Sequence, residues 1–185
     1  MGADQHTDWE RLWNCAGRLA ASRGGAPHDV FGPIGLHLED PARPYRWDYT
    51  TTPRDAVTFA STGSNGVHFS FLGRSDADPV AMTVPGSFDS PNRIVGAGLH
   101  EFLALGCRVG YRRLEGLAHG WSRRRLADQL DTGPTGLDAA ETALLDVLVT
   151  EFGLRPWPEV GTRLDDLAGA YGRLLREPTG LRAPD

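Results

Sequence analysis

Trp9, Leu12, Trp13, Ala16, Leu19 and Ala20 recur every three or four positions, which places them on one face of a helix. Thr7 or Asp8 can cap its start and Gly24-Gly25 can end it. A long connection follows, punctuated by Pro27, Pro33, Pro41, Pro44 and Pro53. Inside it Tyr45, Trp47 and Tyr49 alternate with Arg46 and Asp48, a strand-like period. Three aromatics on one face need either a core or a partner.

The period then becomes clearly two. Ala56–Ala60 and Val67–Leu72 flank the segment Ser61-Thr-Gly-Ser-Asn-Gly66. Asn65-Gly66 tolerates positive φ, so this segment reads as a hairpin. Val67, Phe69 and Phe71 are expected on one face, and His68, Ser70 and Leu72 on the other. Pro79–Val84 is the third strand, after a turn marked by Asp76 and Asp78, and Arg93–Val95 is a short fourth.

Beyond residue 98 the period returns to helical. Leu99, Phe102 and Leu103 define one helix, weakened at its end by Gly106 and Gly110. Leu114, Leu117, Ala118 and Trp121 define another. Thr135 and Asp138 form a capping-box pattern before Ala140, Leu144, Leu145, Leu148 and Phe152, which Gly153 closes. Pro156-Trp-Pro158 is a stiff joint, and Leu164, Leu167, Ala168, Tyr171, Leu174 and Leu175 stripe a last helix. The expectation is an α+β fold: an antiparallel meander of about four strands packed with several helices, and a helical C-terminal third. Residues 1–185 make a single domain, with 136–178 a helical pair that either packs on the sheet or forms a subdomain.

Composition narrows the class. At 185 residues, with 40% hydrophobic and 23% charged positions, the chain can bury a core without staples. Its start lacks a secretory leader, and His6 replaces the Ser or Thr of a myristoylation start. Without an apolar run long enough to span a bilayer, the reading is a cytoplasmic protein with Cys15 and Cys107 reduced. The net charge of −5 disfavours general nucleic-acid binding and suits a basic partner.

Catalytic patterns are incomplete. His100-Glu101 opens like a zincin motif, but Ala104 stands where the second His belongs. Cys107 falls at the C-terminal end of its helix, where the dipole disfavours a thiolate. The six His residues are scattered, and no metal or cofactor is expected. Residues 101–125 carry six Arg against Glu101 and Glu115, a local charge of +4. Arg112, Arg113, Arg123, Arg124 and Arg125 around Trp121 form an Arg-aromatic patch of the kind that binds single strands or acidic proteins, or else a solvated helix face.

The run Thr52-Pro-Arg-Asp-Ala-Val-Thr-Phe-Ala-Ser-Thr-Gly-Ser-Asn-Gly-Val-His-Phe69, then Pro79-Val80, then Leu99-His-Glu-Phe-Leu-Ala-Leu-Gly106, resembles the bacterial branch of the SUKH superfamily, the Smi/Knr-type proteins. The resemblance covers about residues 50 to 118. Ser64-Asn65 stands where the family pattern has Gly-Asp, and the first helix lacks a Leu-Gly-x-x-Leu-Pro signature. What the resemblance implies is a non-catalytic α+β binding domain, many of whose bacterial members are immunity proteins that block a cognate toxin.

Three functional expectations follow. The first is a protein-binding domain of the immunity type, without catalytic residues, whose partner is a basic toxin domain. Its contact residues are Tyr45, Trp47 and Tyr49 as aromatic anchors, with Asp48, Asp76 and Asp78 steering by charge. The anchor reading requires that the three aromatics are not all buried. The second is a nucleic-acid-binding or regulatory scaffold protein using Arg112, Arg113, Trp121, Arg123, Arg124 and Arg125. The third is a hydrolase, which requires His68, His100 and Cys107 to converge.

Overall fold

The computed structural model describes residues 7–87, 90–118, 128 and 136–175. Helix α1 runs Asp8–Arg23. Thr7 and Glu10 form a reciprocal capping box at its start, and Gly24 ends it in the left-handed conformation. Such a cap contributes about 1 kcal/mol. Trp9, Leu12, Cys15, Ala16 and Ala20 form its buried face.

Five antiparallel strands follow as a meander in the order β1 (His37–Leu38), β2 (Val57–Ser61), β3 (His68–Phe71), β4 (Val80–Thr83) and β5 (Asn92–Gly96). The four expected strands are present, and β1 is an addition from the Pro-rich connection. The register sets Phe69 against Met82 and Phe71 against Val80 on one face. That face meets α2 (Leu99–Gly106). Phe59 and Phe71 stack at 4.4 Å, and Phe102 of α2 approaches Phe69 at 4.7 Å. Tyr111 lies over Gly106, where a side chain would collide with its ring, and its hydroxyl donates to the Leu103 carbonyl.

Helix α3 (Ala139–Phe152) buries Leu144, Leu145, Leu148 and Phe152. Its cap is Asp138 paired with Glu141, three residues later than the Thr135–Asp138 pattern. Thr135 lies outside the described residues. Helix α4 (Val160–Tyr171) packs against β5. Glu101 of α2 is the fastening point: its carboxylate receives both the Arg163 guanidinium and the Ala97 N–H, and its carbonyl receives the Trp157 indole. Leu144, Leu148 and Leu167 therefore belong to the same buried cluster as the sheet residues.

Two helical expectations need correction. Residues Arg112–Ala118 form a 3₁₀ helix rather than an α-helix, burying Leu114 and Ala118. Leu174 leaves the C-terminal stripe because α4 stops at Tyr171 and the tighter turn Gly172–Leu174 rotates it into solvent. Among the described residues no helix is long and apolar enough to cross a membrane.

Candidate functional site: an aromatic face on the back of the sheet

Strand β3 alternates as expected, but its second face is not open to solvent. His68, Ser70, Thr58 and Thr83 are fully buried there. The cover is the segment 45–53, whose backbone pairs with the sheet, among the described residues, at a single bridge between Tyr45 and Thr58. This segment is not the strand that its alternation predicts, because beyond that bridge its hydrogen bonds to the sheet involve side chains. The Trp47 N–H donates to Thr58 Oγ1 at 3.1 Å, which in turn meets Ser70 Oγ at 3.1 Å. Asn92 Nδ2 donates to the Thr51 carbonyl at 2.9 Å. The Arg46 guanidinium closes the segment on itself by donating to the carbonyls of Tyr49, Thr52 and Pro53. Buried polar groups on a sheet require partners, and this strap supplies them.

His68 is the pillar beneath it. Its Nδ1–H donates to the Gly66 carbonyl at 2.8 Å, which leaves Nε2 to accept from the Thr52 hydroxyl at 2.9 Å. Burial holds its pKa down to about 4. The hydrogen bond to Gly66 opposes that shift, and the nearby Arg46 charge adds to it. The imidazole is therefore neutral at physiological pH. Trp47 and Tyr49 both stack on it, at 5.1 and 5.6 Å, with interplanar angles of 29° and 22°.

The outer surface of this stack is available. Tyr45 is 48% exposed and Tyr49 39%, while Trp47 is half-buried. The Trp47 indole N–H is shared between the Tyr45 hydroxyl and Glu39 Oε1, both at 3.1 Å. Burial, and then the hydrogen bond to Glu39, push the Tyr45 phenol up. Trp47 and Tyr49 wall a cavity of about 220 Å³ whose floor is the turn Gly63–Val67. Gly63, Asn65 and Gly66 of that turn all have positive φ. Tyr49 lies so close to Gly66 that a Cβ there would sit 2.5 Å from its hydroxyl.

The acidic residues divide. Asp48 is exposed beside the aromatics, 3.9 Å from Arg46. Asp76 and Asp78 lie in the β3–β4 turn, at the opposite end of β3 from the His68 stack. Asp76 accepts from the Trp9 N–H at the start of α1, and Asp78 accepts from the Ser75 N–H. Asp76 ties the start of α1 to this turn and Asp78 holds the turn's own backbone, and the structure does not bring them to Trp47 and Tyr49.

Of the Arg patch, Trp121, Arg123, Arg124 and Arg125 lie outside the described residues. Arg112 is exposed, donates to the Gly32 carbonyl, and borders a cavity of about 190 Å³ with Arg113, Leu137 and Glu141. The hydrolase residues have no partner in common. His68 is engaged by Thr52 and Gly66, His100 Nε2–H donates to the Phe152 carbonyl, and Cys107 donates to the Ala104 carbonyl. Burial raises the Cys107 thiol, which opposes nucleophilic activation.

The six His residues are not all scattered. His28 and His37 come together with Asp29, their donor atoms within 4.8 Å of one another. No local motif marks this group, because nine positions and a change of element separate the two imidazoles. Comparison with known proteins finds no matching family model, no matching curated protein and no matching solved structure.

Proposed function

We propose that the chain is a non-catalytic protein-binding domain of the immunity type, which docks a cognate toxin through the face built by Tyr45, Trp47 and Tyr49. The observation that carries this reading is the ordered presentation of two exposed tyrosines, Tyr45 and Tyr49, beside the half-buried Trp47. The Trp47 and Tyr49 rings are fixed from below by His68 and border the Gly63–Val67 turn, and the Tyr45 hydroxyl is tied to the Trp47 indole. Tyr and Trp dominate binding energy at interfaces, and side chains already fixed lose little entropy on association. Asp48 lies on the rim of this face, and the chain charge of −5 favours encounter with a basic partner. The toxin-neutralising role rests on the resemblance to the SUKH superfamily over residues 50–118.

The test is capture of the tagged full chain with its bound proteins, followed by expression of any stoichiometric companion alone. A basic companion that arrests growth alone but not with this chain is the expected result. A companion that is harmless alone contradicts the immunity role. Nucleic acid that is released as salt rises contradicts the protein-binding role and favours the Arg patch.

A further inference from the structure

We propose that His28, Asp29 and His37 form a binding site for one divalent transition-metal ion of the zinc class. The inference does not depend on the partner-binding reading. Pro27–Asp29 is a 3₁₀ turn that carries two donors, and the third comes from the edge strand β1.

The two imidazoles are held in a ligating arrangement by the surrounding backbone, and Asp29 lies between them. His28 donates its Nδ1–H to the Leu38 carbonyl, which fixes the tautomer and turns the Nε2 lone pair toward Asp29. A metal-bound imidazole usually has this arrangement, with its far nitrogen tied to a carbonyl. The His37 ring is wedged between two glycines. A Cβ at Gly32 would lie 2.7 Å from its Cε1, and one at Gly63 would strike its Nε2. That packing leaves Nδ1 as the open nitrogen, and it faces Asp29 Oδ1.

The three donor atoms lie within 4.8 Å of one another, close enough for one ion to draw them together. Asp29 Oδ1 lies 3.2 Å from His37 Nδ1 and 3.8 Å from His28 Nε2. Tetrahedral zinc with bonds of about 2.0–2.1 Å separates its ligands by about 3.3 Å. Two imidazoles and one carboxylate suit zinc, cobalt or nickel, whereas magnesium and calcium require a shell of oxygens. In the ion-free protein His37 Nδ1–H donates to the Asp29 carboxylate. On binding, the metal takes the place of that proton, which moves to Nε2. Three protein ligands leave a fourth position for water. Gly63 links the site to the aromatic face, since it touches His37 and also lines the cavity beside Trp47 and Tyr49.

The test is calorimetric titration of zinc chloride into the chelator-treated full chain, with Asp29→Asn, His28→Gln and His37→Gln beside it. One ion per chain is expected, bound at least about tenfold more weakly by each variant. Asp29 is 66% exposed, so Asp29→Asn leaves the far-UV spectrum unchanged and separates ligand loss from unfolding. Titration with cobalt is expected to give the intense visible bands of a four-coordinate ion. No zinc binding at millimolar concentration, binding that survives all three substitutions, or a pale six-coordinate cobalt spectrum would each overturn the proposal.

Discussion

Acidification should weaken the fold through His68 before most carboxylates titrate. The imidazole is fully buried and neutral, with its pKa held down to about 4 against an ordinary value of 6.5. Between those two values the unfolded chain binds a proton that the folded chain does not. Its contribution is therefore fully present above pH 6.5 and is lost as pH falls toward 4. The interval from 6.5 to about 4 corresponds to about 3 kcal/mol, of which about 2 kcal/mol is gone by pH 5. The comparison protein is His68→Gln, whose amide can give and accept the same two hydrogen bonds but carries no proton. Urea unfolding of both proteins, followed by circular dichroism from pH 7.5 to 5, cancels the carboxylates they share. The stability difference between them is expected to shift by about 2 kcal/mol in favour of the variant on acidification. A difference that stays constant across this range would refute the argument that burial keeps His68 neutral.

Three further outcomes follow from the same geometry. Thr51 Oγ1 is buried with no hydrogen-bond partner among the described residues, so Thr51→Val should leave the melting temperature unchanged or raise it, by up to about 1 kcal/mol of stability. Gly66→Ala places a methyl against Tyr49 at a backbone φ of 70°, and a loss of about 1–3 kcal/mol is expected in urea titration. Cys15 and Cys107 are buried with thiols raised by that burial, so a thiol reagent should label neither in native buffer and both in denaturant.

Local chemistry made much of the fold legible. The α1 cap needs only Thr7 and Glu10, and the hairpin needs only Asn65-Gly66 between two alternating runs. Phe69 and Phe71 face the core because a two-residue period admits no other face for them. What lay beyond the sequence is what depends on distant partners. Alternation puts His68 and Ser70 on the face opposite Phe69 and Phe71 but does not say what lies over them, and a segment some twenty residues earlier covers them. The reason is that Thr58, Ser70 and His68 offer hydrogen bonds which the strap at 45–53 completes. The shift of the α3 cap to Asp138 turned on Glu141, a residue three positions farther on.

The candidate site was half legible. The alternation of Tyr45, Trp47 and Tyr49 marked them as sharing a face, but not whether that face was core or surface. His68 stands in the sequence as a strand residue and a hydrolase candidate, and nothing in its neighbours announces two stacked rings. Asp76 and Asp78 were grouped with the site by charge alone, and their backbone partners show how a turn carboxylate can serve the fold instead. His28, Asp29 and His37 carry no periodic signal, since β1 is two residues long and its pairing with β2 is what brings His37 to the turn.

The measurement that bears most directly on the account is the affinity of Tyr45→Ala and Tyr49→Ala for the companion captured by the wild-type chain. Both residues are exposed, so both variants should keep the wild-type circular dichroism and unfolding midpoint to within about 1 kcal/mol. At least one is expected to lose about thirtyfold or more in affinity, the scale of a binding hot spot. Unchanged affinity in both variants, with the fold intact, would contradict the claim that this aromatic face is where the protein docks its partner.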